Sequence, residues 1–86
     1  MSGSLEELGL ARGDKVRFRR RNGGHWHNGV LSRREPDGSL GLHDERGAFR
    51  ALPVELVEVR AVTTRGATSW EPVTERAART EQLRLL

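Results

Sequence analysis

Residues 13–20 read Gly13-Asp14-Lys15-Val16-Arg17-Phe18-Arg19-Arg20. Val16 and Phe18 alternate with Lys15, Arg17 and Arg19. Side chains on a strand point alternately to opposite faces, so the spacing gives one apolar and one strongly basic face. It predicts a β-strand over residues 14–20. Arg21-Asn22-Gly23-Gly24 follows as a turn, because Asn and Gly tolerate positive φ. Residues 25–34, HWHNGVLSRR, read as a second, longer strand. Gly29 in its middle predicts a bulge or a sharp bend.

The pattern continues C-terminally. Glu35-Pro36-Asp37-Gly38 is a strong turn signal. Residues 39–43 form a third strand with Leu40 and Leu42 on one face, 44–47 turn again, and 48–52 form a fourth strand. Pro53 lacks the ladder N–H, so Pro53-Val54-Glu55-Leu56 predicts a single helical turn. Val57, Val59 and Ala61 alternate with Glu58 and Arg60 as a fifth strand over 57–61. Five short strands joined by tight turns predict a mostly β fold closed into a small barrel, which also removes exposed edges. The predicted core is Val16, Phe18, Val30, Leu40, Leu42, Leu52, Leu56, Val57 and Val59, with Trp26 partly covered.

The order Gly13-Asp14-x-Val16, Trp26-x-x-Gly29-Val30, Gly38-x-Leu40 and Pro53-Val54-Glu55-Leu56-Val57 resembles the Tudor/SH3-like small barrel, including KOW-type modules, over residues 10–61. The resemblance implies a five-stranded barrel and a binding function. Partners in that group include methylated peptides, nucleic-acid backbone, ribosomal RNA and other proteins. Methyl-lysine readers use a cage of several aromatics. Within residues 10–61, Trp26 and Phe49 are the only Trp or Phe residues outside the predicted barrel core, and Tyr is absent, so no such cage is expected.

At 86 residues and 9.6 kDa, the chain is one small domain with a thin core. The absence of Cys excludes a disulfide scaffold, thiolate metal sites and a thiol nucleophile. No apolar stretch approaches a membrane span, and the N-terminus has no signal-like apolar run, so a cytoplasmic protein is expected. The net charge of +3 is unevenly spread. Residues 12–34 carry eight basic groups against Asp14 alone, whereas residues 35–61 carry three Arg against six acids. Fourteen of the fifteen cations are Arg. The charge is therefore a face rather than a bulk property.

Residues 1–11 are a polar segment with Leu5, Leu8 and Leu10, and residues 62–68 read as a polar linker. A helix is predicted within 69–86. Thr68 or Ser69 would cap it, Pro72 would sit in its first turn, and Glu75 and Arg79 would pair at i,i+4. Too weak to stand alone, it should dock through Trp70 and Val73, fray, or form on a partner. The ending Gln82-Leu83-Arg84-Leu85-Leu86 resembles the short peptide that bacterial replication and repair proteins insert into the DNA sliding clamp. That resemblance implies a bacterial setting, with Gln82 as polar anchor and Leu83, Leu85 and Leu86 as apolar ones. The alternative is that these Leu residues pack back onto the barrel or across a dimer interface.

His25, His27, His43 and a carboxylate such as Asp44 would have to converge to hold a metal, and exposed strand His residues are more often polar surface. No nucleophile, triad or phosphate-loop motif is present, so neither an enzyme nor a cofactor is expected. The expected function is non-catalytic nucleic-acid binding through the backbone. Lys15, Arg17, Arg19, Arg20, Arg21, Arg33 and Arg34 would meet phosphates, with Trp26 and His27 as a stacking platform. The alternative is a protein–protein adaptor using the barrel and the tail.

Overall fold

A computed structural model describes residues 4–62 and 65–85. Six antiparallel strands make one sheet: β1 (Lys15–Phe18), β2 (His27–Arg34), β3 (Leu40–Asp44), β4 (Phe49–Leu52), β5 (Val57–Val62) and β6 (Thr68–Pro72). One α-helix among the described residues, α1 (Val73–Arg84), follows. Short 3-10 turns lie at Leu5–Leu8 and Val54–Leu56. The strand order is β4-β3-β2-β1-β5-β6.

The expectation of a five-stranded closed barrel is corrected in two respects. A sixth strand forms, and β4 and β6 stand at opposite edges of the sheet with no pairing between them among the described residues. The extra strand comes from the predicted linker and the predicted helix start. Ser69 and Trp70 pair with Ala61 and Arg60, and Pro72 with Glu58. Pro72 has no N–H to donate, which suits an edge strand, and it then serves as the N-cap residue of α1. Thr63 and Thr64 of that linker lie outside the described residues.

One sheet face carries the core: Val16, Phe18, Leu31, Leu40, Leu42, Val57 and Val59, joined by Leu10 and Val73. The Leu10 end of the N-terminal segment and the first turn of α1 thus close this face. Leu52 is half-buried against the core, and Leu56 is half-buried. Val30, predicted inside, lies on the opposite face and is 45% exposed. Its neighbour Leu31 takes the core position. Register explains this. Val16 faces Gly29 and Phe18 faces His27, so His27, Gly29 and Leu31 point inward, up to the irregularity that follows Leu31.

Gly29 is not a bulge. It stays in register between Val16 and Asp44, and the irregularity lies between Leu31 and Arg33. A Cβ on Gly29 would sit 2.8 Å from the His43 backbone oxygen and 3.1 Å from Leu42 Cδ1. Close packing of β2 on β3 requires glycine here.

Helix α1 is held by Glu71 at the end of β6. Arg76 Nε donates to Glu71 Oε1 at 2.6 Å, and Arg79 Nη1 donates to Oε2 at 2.7 Å. Arg76 also donates to the Gly9 carbonyl at 3.1 Å, tying the N-terminal segment to the helix. Arg79 thus reaches back to Glu71 rather than forming the predicted pair with Glu75.

Candidate functional site

The face opposite the core carries a row of side chains across the whole sheet. Phe49 on β4 pairs with His43 on β3, His43 with Val30 on β2, and Val30 with Lys15 on β1. Arg60 on β5 pairs with Trp70 on β6. Extending the Val16–Val59 register by one residue brings Lys15 beside Arg60. Phe49, His43, Val30, Lys15 and Arg60 are exposed and Trp70 is half-buried. Trp70, Arg60, Lys15, Val30 and Asn28 line an open groove of about 450 Å³.

Beside this row lies a stack of alternating guanidinium and indole groups. Arg17 sits over Trp26 at 4.4 Å and over Trp70 at 5.1 Å, and Arg19 lies over Trp26 at 4.6 Å. Arg17 is oriented by Glu58, its cross-strand partner, which accepts hydrogen bonds from its Nε at 2.7 Å and from Nη2. Arg19 Nε is shielded from solvent without a hydrogen-bond partner. The strand alternation explains the arrangement, because Arg17 on β1 and Arg19 just after it point to one side, and Trp26 just before β2 and Asn28 on it share that side.

The residues predicted to form one basic face fall into four places. Lys15, Arg17, Arg19 and Trp26 lie on the outer face, as just described. Arg20 and His27 line a different cavity, of about 270 Å³, where the His27 ring stacks on Phe18 at 5.5 Å between centroids. Arg33 and Arg34 lie toward the other end of β2, five and six residues beyond Asn28, about 17 Å or more along the strand. Arg33 pairs with Glu35 at 2.7 Å and lies over Phe49 at 5.0 Å. Arg34 reaches Glu7 at 4.0 Å and the Gly38 carbonyl at 3.4 Å. Arg21 is exposed in the turn after β1.

Trp26 already carries two guanidinium groups, whereas Trp70 carries one and borders the open groove. Of the two Trp residues, the one bordering open space is therefore Trp70, which the sequence placed at the start of a helix. The groove residues that sequence reasoning missed are Trp70 and Arg60. The period-two alternation of residues 57–61 already pointed Arg60 away from Val59, and was the only usable signal.

The histidines do not converge. His27 points to the core side of the sheet and His43 to the outer side, against Phe49 at 5.5 Å. His25 precedes the strand. Among the described residues, no group of three His, Cys, Asp or Glu is placed to hold a metal ion.

In the tail, Gln82, Leu83 and Arg84 form the last turn of α1, with Leu83 63% and Leu85 83% exposed. These two Leu residues do not pack back onto the sheet. Leu86 lies outside the described residues. Among the described residues, no helix is long and apolar enough to cross a membrane. Comparison with protein-family models, with curated proteins and with solved structures finds no match to this chain.

Proposed function

We propose that the chain is a non-catalytic binding module of the Tudor/SH3-like kind, its sheet left open, that holds single-stranded nucleic acid along the outer face of that sheet. The observation that carries this is the row of Lys15, Arg60 and Trp70, backed by the Arg17–Trp26 stack. Cations beside an open aromatic surface suit a strand whose phosphates meet Lys and Arg while a base stacks on the ring. Neither feature needs a particular base, so weak sequence preference and a steep salt dependence follow. Single strands fit better than duplex, since stacking on Trp70 requires an unpaired base.

The test is a fluorescence titration of Trp26 and Trp70 with homopolymeric single-stranded DNA and RNA, and with duplex, at several salt concentrations. Saturable quenching by single strands that weakens steeply with salt is expected. An unchanged signal at low salt, or an affinity flat between low and physiological salt, would sink the proposal.

A second reading is favoured by one observation, the exposure of Leu83 and Leu85 at the end of α1. Residues 82–86 would dock in an apolar cleft of a protein partner, as clamp-binding peptides do. The last turn of α1 would unwind to reach an extended form. Truncating the chain after Glu81 discriminates: an unchanged affinity for a purified sliding clamp removes this reading and leaves the nucleic-acid one intact.

A further inference from the structure

The end of β1, the start of β2, the end of β3 and the loop into β4 meet around the cavity of about 270 Å³. This is below the about 300 Å³ at which pockets for drug-sized molecules begin, so it suits a small anion or one group of a larger ligand. Its walls include Arg20, Arg46, Arg50 and His27, with the carboxylates Asp44 and Glu45.

Among the described residues, Asp44 is paired with a cation and Glu45 is not. Asp44 Oδ2 accepts Arg50 Nε at 2.8 Å, and Oδ1 accepts the backbone N–H groups of Arg46 at 2.9 Å and Ala48 at 3.0 Å. Glu45 Oε1 accepts the Asn28 N–H at 3.2 Å. Arg20 and Arg46 form no ion pair or side-chain hydrogen bond among the described residues. The cavity therefore has three guanidinium groups against two carboxylates: Arg50 is paired with Asp44, and Arg20 and Arg46 together outweigh the single charge of Glu45, beside an imidazole steadied on Phe18. Guanidinium groups suit tetrahedral oxyanions because their N–H donors match pairs of oxygens.

We propose that this cavity binds a phosphate group, held by Arg20 and Arg46 with His27 as a further contact. The inference deepens the nucleic-acid reading and rests on it for the source of the phosphate. The cavity and the Trp70 groove share Asn28, Asp44 and Glu45 as a common rim, so a strand lying in the groove runs past the cavity mouth. One phosphate enters it while a base stacks on Trp70. Glu45 limits affinity, since its charge stands at that rim.

The experiment is an amide NMR titration of the full chain at constant ionic strength. Three probes are used: inorganic phosphate, a short single-stranded oligonucleotide, and a phosphorylated sugar as a non-nucleic source. Inorganic phosphate is expected to move the amides of His27, Asn28 and Arg46. Arg20→Gln with Arg46→Gln should weaken that binding at least tenfold with spectral dispersion retained, because both side chains are exposed and unpaired. Glu45→Gln should tighten it. The oligonucleotide should move the same amides together with the Trp70 indole N–H. Equal phosphate affinity in the double variant and the parent overturns the inference. Movement of the Trp70 indole without the pocket amides also overturns it, while leaving the nucleic-acid reading standing. Pocket shifts with phosphate and the phosphorylated sugar, but none anywhere with the oligonucleotide, support the phosphate site and remove the strand as its source.

Discussion

Arg17 and Trp70, far apart in the chain, meet on the outer face of the sheet with the guanidinium carbon 5.1 Å from the indole centroid. The contact exists because β5 lies between β1 and β6, so side chains two strands apart reach each other over the Glu58 position. Glu58 fixes the guanidinium, and the guanidinium fixes the ring that borders the groove. Replacing Trp70 by Ala should weaken single-strand binding by about 1–3 kcal/mol, at least about fivefold in Kd, the range for one base–aromatic stack. The thermal midpoint serves as the control for folding. Full affinity in a folded Trp70→Ala variant would show that this ring is not a platform.

The charges of the outer face should be separable from those at the far end of β2. Lys15 and Arg60 flank the groove, whereas Arg33 and Arg34 already face Glu35 and Glu7. Lys15→Gln with Arg60→Gln should reduce the slope of log affinity against log salt by about 1.4, or about 0.7 for each single-strand phosphate left without its cation. Arg33→Gln with Arg34→Gln should leave the slope nearly unchanged. Equal slopes for the two double variants would mean that the basic groups act as a diffuse field.

Gly29 tests the packing beneath that face. The His43 carbonyl that a Cβ would meet at 2.8 Å is backbone held by the β2–β3 ladder, so it cannot swing aside as a side chain would. Gly29→Ala should cost about 1–3 kcal/mol, the usual range for overpacking. Chemical denaturation measures it directly. A loss below about 0.5 kcal/mol would mean that the two strands separate freely at this point.

Much of this architecture was legible because it rests on local rules. The alternation of Val16 and Phe18 with Lys15, Arg17 and Arg19 located β1, and the Gly38 and Gly47 turns marked the limits of β3. Pro53 marked the 3-10 turn before β5. What could not be read depended on register between distant segments. The inward phase of β2 runs through His27 and Gly29, which carry no hydrophobic signal, so Val30 looked like a core residue. The segment before α1 has capping residues typical of a helix start, but pairing with β5 overrides them. The Arg run looked like one surface, yet alternation sends Arg19 and Arg20 to different sides of the sheet, one onto Trp26 and the other into the cavity. Trp70 joins Arg17 only after β6 forms, so no local pattern announced the groove.

The attachment of α1 should depend on acid through Glu71. Hydrogen bonding from Arg79 is the main cause that holds its carboxyl below the ordinary range, with Arg76 adding to it and partial burial opposing. The folded-state pKa is therefore lower than the unfolded one. The ionised carboxylate stabilises the fold above the ordinary carboxylate range, and that contribution is lost as pH falls through the folded-state value. Glu71→Gln should lower the urea midpoint at pH 7, loosening α1 and the Gly9 contact that Arg76 bridges. Between pH 7 and pH 3 the variant should lose less stability than the parent, because the group responsible for part of that loss is gone. Asp44 and Asp37 titrate in the same direction and remain in both proteins, so the difference between the two pH profiles isolates Glu71. Parallel profiles would show that the Arg76–Glu71–Arg79 cluster contributes nothing to holding the helix.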